Sequence, residues 1–298
     1  MIIKKNQKPD KFIYNQKNNI LITQYENSYL TAFNLNELKS LGKIYIPDED
    51  ILEFNFIFDN NNILLITFQS NIYIISIKSY KPLSMIYCLL DIPNNTKTFP
   101  SKQKCSNISC LNIDADETYS AFTFSDGTVC VYHIEKYKGR IFYKLVDNFN
   151  TILLHSEKYN DEMSQELYYN LTSFRSEYKS ESIFYEKFDN VIICYHESLK
   201  AVIIRNFISK SNINIINLNY FPYCMSINDN GQFMAVGTKE GIVLLLDMEE
   251  KQYFNNDKYK FEEYYMHYDK VLCLRFSRDS KKLISSSKNE ILILNMEI

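Results

Sequence analysis

The chain has 298 residues, 46% of them hydrophobic and 23% charged, which is enough apolar material for a sizeable core in an ordinary globular protein. A formal net charge of −3 argues against general affinity for nucleic acid or an anionic membrane surface, since both require a basic face. No apolar run approaches the roughly 20 residues that cross a bilayer, and Met1-Ile2-Ile3-Lys4-Lys5 turns polar too early for a signal peptide, so the expectation is a soluble protein of the cytoplasm and/or nucleus without membrane insertion.

In chain order, residues 1–5 are short, apolar and β-compatible. From Phe12, FIYNQKNNILITQYENSYLTAFNL reads as three strands joined by two polar turns, with an outer strand at 43–46. From Ile51, ILEFNFIFDNNNILLITFQSNIYIISIKS repeats that order, with an outer strand at 85–90 and a basic loop at 94–104. The sharpest copy is ISCLNIDADETYSAFTFSDGTVCVYHIE from Ile108. It has Cys110 at its third position, an Asp-rich turn, a second β run, the tight turn Ser125-Asp126-Gly127, and a third strand. Asp-Gly between two β runs marks a hairpin, because its turn needs residues that tolerate positive φ. An outer strand is expected at 140–146. Residues 147–187, rich in Asp, Glu, Ser and Tyr, read as a loop insertion or as a degenerate further unit. FDNVIICYHESLKAVIIRNF from Phe188 is a weaker copy with an outer strand at 213–218. PYCMSINDNGQFMAVGTKEGIVLLLDME from Pro222 carries Cys224 and the turn Lys239-Glu240-Gly241, and a polar insertion at 255–263 follows. VLCLRFSRDSKKLISSSKNEILILNME from Val271 carries Cys273 and is followed by no outer strand.

With Leu21, Leu64, Ser120, Ile192, Met234 and Leu283 as equivalent positions, the spacings are 43, 56, 72, 42 and 49 residues. The shortest match the roughly 40–45-residue period of a four-stranded propeller blade. The expectation is an all-β fold over 1–298: a single closed β-propeller of four-stranded antiparallel blades. It has six blades if about 147–187 is an insertion and seven if that stretch is a blade. Pairing of residues 1–5 onto the last unit would close the ring and leave no open sheet edge.

Ser120–His133 and Met234–Asp247, SAFTFSDGTVCVYH and MAVGTKEGIVLLLD, resemble the second strand, turn and third strand of the WD-repeat family. His267 resembles the histidine that precedes the family's first strand. No Trp exists, so the family's Trp-Asp pair becomes Leu246-Asp247, Leu294-Asn295 and Tyr132-His133. The resemblance implies a remnant of the family's polar network in His267, Ser285 and Asn289, with blades held mainly by apolar packing. Its last two repeats also resemble the G-protein-β-like propeller subunit of kinase-maturing assemblies and the propeller of a Sar-type GTPase exchange factor.

The candidate chemistry is sparse. His133, His155, His196 and His267 have no ligand-spaced partners, and no phosphate-cradling or nucleophile motif occurs, so neither cofactor nor metal is expected. Seven cysteines without a CxxC pair read as buried reduced thiols. Asp114, Asp116, Asp229 and Asp279 sit at matching turns and read as turn caps rather than acid–base catalysts. The expected function is a non-catalytic protein-binding scaffold, a monomeric propeller within a hetero-complex. Its candidate contact residues are Asp126, Lys239, Glu240, Tyr268, Lys270 and Lys288. The alternatives are a propeller regulator of a small GTPase in vesicle traffic and a hydrolase with its site in the central channel.

Overall fold

The computed structural model describes residues 11–15, 19–25, 29–45, 51–57, 62–67, 72–76, 82–86, 108–113, 118–137, 140–159, 179–185, 190–248 and 261–296. The chain divides into two compact units, Met1–Ile108 and Ser109–Ile298.

In the first unit, β1 (Lys11–Asn15), β2 (Ile20–Tyr25), β3 (Tyr29–Asn34) and β4 (Lys39–Tyr45) form one antiparallel sheet in chain order. A second sheet contains β5 (Ile51–Ile57), β6 (Asn62–Thr67), β7 (Ile72–Ser76) and β8 (Pro82–Ile86). Alternating β-branched and aromatic residues suit strands whose faces differ in burial. Ile22, Leu30, Ala32 and Ile44 of the first sheet share a core with Ile51, Phe54 and Ile75 of the second. Gln24 Nε2 ties the two sheets by donating to the Ile51 carbonyl at 2.7 Å.

The second unit opens with β9 (Ile108–Ile113), β10 (Tyr119–Phe124), β11 (Thr128–Tyr137) and β12 (Arg140–Asn150), again one meandering sheet. Helix α1 (Thr151–Tyr159) follows directly. Asn150 caps it, its Oδ1 accepting from the Ile152 and Leu153 N–H groups at 3.0 and 3.2 Å. The next sheet is β13 (Ser180–Phe184), β14 (Val191–His196), β15 (Ala201–Asn206) and β16 (Ser211–Asn217). Then come β17 (Pro222–Ile227), β18 (Phe233–Thr238), β19 (Ile242–Asp247) and β20 (Glu262–Tyr265), and finally the three strands β21 (Cys273–Phe276), β22 (Lys282–Ser286) and β23 (Ile291–Asn295).

Each pair of successive sheets in this unit encloses an apolar layer. One layer joins Val129, Val131 and Ile152 to Ile192, Cys194 and Ile203. Another joins Ile193, Val202 and Ile204 to Met234, Val236, Leu244 and Leu246. A third joins Ala235, Val243 and Leu245 to Leu274 and Leu283. Burying such a side chain is worth about 1.5–3 kcal/mol. Leu246 stands where the resemblance implies Trp, and it is fully buried, so the apolar packing expected at that position is present.

Among the described residues, five sheets are complete four-stranded blades and the sixth has three strands, in place of the six or seven full blades expected. The stretch at 147–187 adds no blade among the described residues. It carries the end of β12, then α1, and finally β13, the first strand of the next sheet. Nor is the ring closed by hydrogen bonds among the described residues, since β23 pairs with β22 and with no further strand. The closing pairing expected of residues 1–5 lies outside the described residues, as do Asp114 and Asp116. One face of β21–β23 packs through Leu274 and Leu283, while the other exposes Ile284, Ile291 and Ile293.

Candidate functional site

Within Ser109–Ile298, antiparallel order sends every turn between the second and third strands of a sheet to the same end. The connections from a fourth strand to the next first strand reach that end too. Four of these segments meet there: the turn 197–200, the loop 218–221, the turn 239–241 and the loop 266–272. Backbone hydrogen bonds clasp them. The Glu197 and Lys239 N–H groups donate to the carbonyls of Lys179 and Phe221, the residues just before β13 and β17, each at 2.9 Å. The His267 N–H donates to the Gly241 carbonyl and the Val271 N–H to the Thr238 carbonyl, both at 3.0 Å.

Phe221 and Tyr223 form the centre of this end. Lys200 Nζ stands 4.8 Å and Lys239 Nζ 5.7 Å from the Phe221 ring centroid. Lys179 and Lys270 Nζ each stand 4.6 Å from that of Tyr223. Lys179 also donates to the Tyr223 carbonyl at 2.9 Å and pairs with Glu181 at 2.6 Å. Burial alone would lower its pKa, but Glu181 more than offsets that and holds the ammonium above its usual range. The Tyr195 hydroxyl donates to the same carbonyl.

The structure gathers Lys239, Glu240, Tyr268 and Lys270 of the six expected contact residues on these segments. Lys239 lies 3.8 Å from Glu197, and Glu240 Oε1 accepts the Phe221 N–H at 3.4 Å. Tyr268 is fully exposed. Asp126 instead serves its own turn, accepting the Thr128 N–H at 2.9 Å while Asn150 Nδ2 donates to its carbonyl. Lys288 is exposed in the turn between β22 and β23. Phe221, Tyr223, Lys179 and Lys200 were not legible as site residues, because cation–ring stacking between separate loops leaves no local pattern.

His267 and Ser285 come together as the resemblance implied, with Nε2 2.8 Å from the hydroxyl. The third partner is Glu290 at 3.2 Å from Nδ1, in place of the expected Asn289, which is exposed. Asp279 caps its turn as expected, accepting from Ser277 Oγ and the Lys281 N–H, and these bonds lower its pKa. In the preceding repeat Asn228 and Asn230, rather than Asp229, accept the turn's N–H groups.

His196 also proves structural. Its Nε2 donates to the Ser125 carbonyl at 3.0 Å, joining two neighbouring turns, and Nδ1 accepts the Ser198 N–H at 3.2 Å. Burial pushes its pKa down to about 4, with Lys239 adding repulsion against the pull of the Ser125 carbonyl and Asp126. An unfolded histidine titrates near 6.5. The stability held in the neutral ring is therefore complete above about pH 6.5 and is lost as pH falls towards 4, a linkage of about 3 kcal/mol. Urea midpoints of the native chain are expected to fall across that window more steeply than those of His196→Asn. Equal slopes would contradict this assignment.

The thiols of Cys130, Cys194 and Cys224 are buried and unpaired, and burial raises each pKa, that of Cys130 to about 12, whereas Cys273 is exposed against the expectation of a buried thiol. Among the described residues no three His, Cys, Asp or Glu side chains converge, and no helix is long and apolar enough to cross a membrane.

Comparison with known proteins agrees with this architecture. The family model for the WD domain, G-beta repeat, matches residues 260–294, the span of β20 to β23. No curated protein sequence matches the chain. Among solved structures it is similar to the β-propeller domain of Cps50 (Swd1) from Myceliophteria thermophila, with a TM-score of 0.66 and 8% identity over 96% of this chain and 83% of that one. It is also similar to the computationally designed protein Ika8, with a TM-score of 0.61 and 11% identity over 96% of this chain and 70% of the other. The chain therefore has a β-propeller fold, residues 260–294 match the WD-repeat family model, and no tryptophan occurs anywhere in the sequence.

Proposed function

We propose that this propeller is a non-catalytic scaffold, a subunit of a multiprotein complex in the cytoplasm and/or nucleus, whose partners dock across the end built from the turns 197–200 and 239–241 and the loops 218–221 and 266–272. The observation that carries this reading is the set of exposed side chains Lys200, Lys239, Tyr268 and Lys270, held on segments that are clasped by backbone hydrogen bonds to a buried core. Rigid presentation of polar and aromatic groups lowers the ordering cost of association. Purification of the tagged chain from its own cells, with mass spectrometry of what accompanies it, is expected to give a small set of stoichiometric proteins. Isolation of the chain alone, together with turnover of a small molecule, would overturn the reading.

A further inference from the structure

We infer that the lysine-faced ring pair Phe221 and Tyr223 accepts a carboxylate-rich, extended segment of a protein partner. This rests on the scaffold reading and specifies the chemistry of its docking end. Four ammonium groups lie within 5.7 Å of two ring centroids. The negative ring faces attract these cations, but each ring carries two of them, so the cluster retains an appetite for negative charge.

The cluster's own carboxylates satisfy only half of it. Glu181 takes Lys179 and Glu197 takes Lys239. Glu240 accepts the Phe221 N–H, and Asp269 accepts the Lys270 N–H at 2.7 Å. Lys200 and Lys270 are exposed and form no ion pair among the described residues; Lys270 Nζ donates only to Tyr223 Oη, at 3.3 Å. Both are already placed against rings, so a partner carboxylate meets positioned cations and part of the ordering cost is met beforehand. The whole chain carries a formal charge of −3, so the attraction is local to this end.

The rim decides the class of partner. The exposed carboxylates of Glu240 and Asp269 would oppose the continuous charge of a nucleic-acid backbone. An extended peptide spaces alternate side chains by roughly 6.6 Å, so it can set carboxylates on Lys200 and Lys270 and apolar groups against Tyr268 and Phe221.

The test uses the full chain and a fluorescein-labelled ten-residue peptide of alternating Glu and Ala, read by polarisation. The Glu peptide is expected to bind, more weakly as salt rises, and its Gln counterpart to bind at least tenfold more weakly. Lys200→Ala with Lys270→Ala is expected to lower affinity at least tenfold. Lys210→Ala with Lys281→Ala, exposed lysines at the opposite end of the strands, is expected to leave it within twofold. Equal losses in the two double variants, equal binding of the Gln peptide, or tighter binding of a single-stranded oligonucleotide would each overturn the inference. If stoichiometric partners stay with Lys200→Ala/Lys270→Ala while the Glu peptide fails to bind the native chain, the inference falls and the scaffold reading stands.

Discussion

Asp147→Ala is expected to cost about 3–5 kcal/mol of folding stability, read as a lowered urea midpoint. Asp147 in β12 and Arg205 in β15 join neighbouring sheets, with Nε 2.7 Å from Oδ2 and Nη2 3.3 Å from Oδ1. Their side chains are 2% and 9% exposed, so water screens the pair little. Arg205 also donates to Asn212 Oδ1 at 2.9 Å and stands over the Phe149 ring at 4.6 Å. Removing the carboxylate leaves the guanidinium buried without a counter-charge, and that stranded charge, rather than the lost attraction, dominates the cost. Asp147→Leu combined with Arg205→Met removes both charges and is expected to cost less than the two single changes added together. A loss below about 1 kcal/mol for Asp147→Ala, the scale of an exposed pair, would contradict this account.

Gly241→Ala is the second large effect, a destabilisation of about 3 kcal/mol or more. Gly241 has φ of 82°, where an L residue costs about 1–2 kcal/mol. Its added Cβ would lie 2.1 Å from the His267 carbonyl oxygen and 2.9 Å from that of Asp269. Both obstacles are backbone, and the His267 N–H is itself bonded to Gly241, so no rotamer change relieves the clash. Gly127 has the same φ but meets only side-chain atoms, Thr151 Oγ1 at 2.8 Å and Ile152 Cγ1 at 3.1 Å, a less severe approach than 2.1 Å to a backbone oxygen. Gly127→Ala is therefore expected to lose clearly less in thermal unfolding. Equal losses at the two glycines would contradict the backbone clash. Because Lys239, Glu240 and Lys270 flank the clash, Gly241→Ala is also expected to weaken partner retention.

The hairpins were legible because Asp126-Gly127 and Glu240-Gly241 need positive φ and sit between alternating runs. The pairing of His267 with Ser285 was legible through the resemblance, although its third member lies one residue beyond the expected Asn289, at Glu290. Other features had local signals that polar composition masked. Helix α1 begins Asn150-Thr151 before an apolar run and ends near Lys158, an N-cap and dipole pattern inside a stretch read as loop. Strand β20, Glu-Glu-Tyr-Tyr, has no apolar alternation and pairs only because β19 offers it an edge. A recurring turn also went unread: Asn34 and Asn206 each end a third strand and accept N–H groups two and three residues on. The rest was not readable at all. Asp147 and Arg205 lie 58 positions apart, the lysines come from other turns and loops than the rings they face, and periodicity assigns faces without naming partners across sheets.

The measurement that most directly tests the docking end is lysine cross-linking of the purified complex, with the linked sites mapped by mass spectrometry. Exposed lysines lie at both ends of the second unit: Lys200, Lys239 and Lys270 at the proposed docking end, and Lys210, Lys281 and Lys282 at the other. The expected result is partner links concentrated on the first three. Links confined to Lys210, Lys281 and Lys282 would contradict the account and move the docking surface to the opposite end.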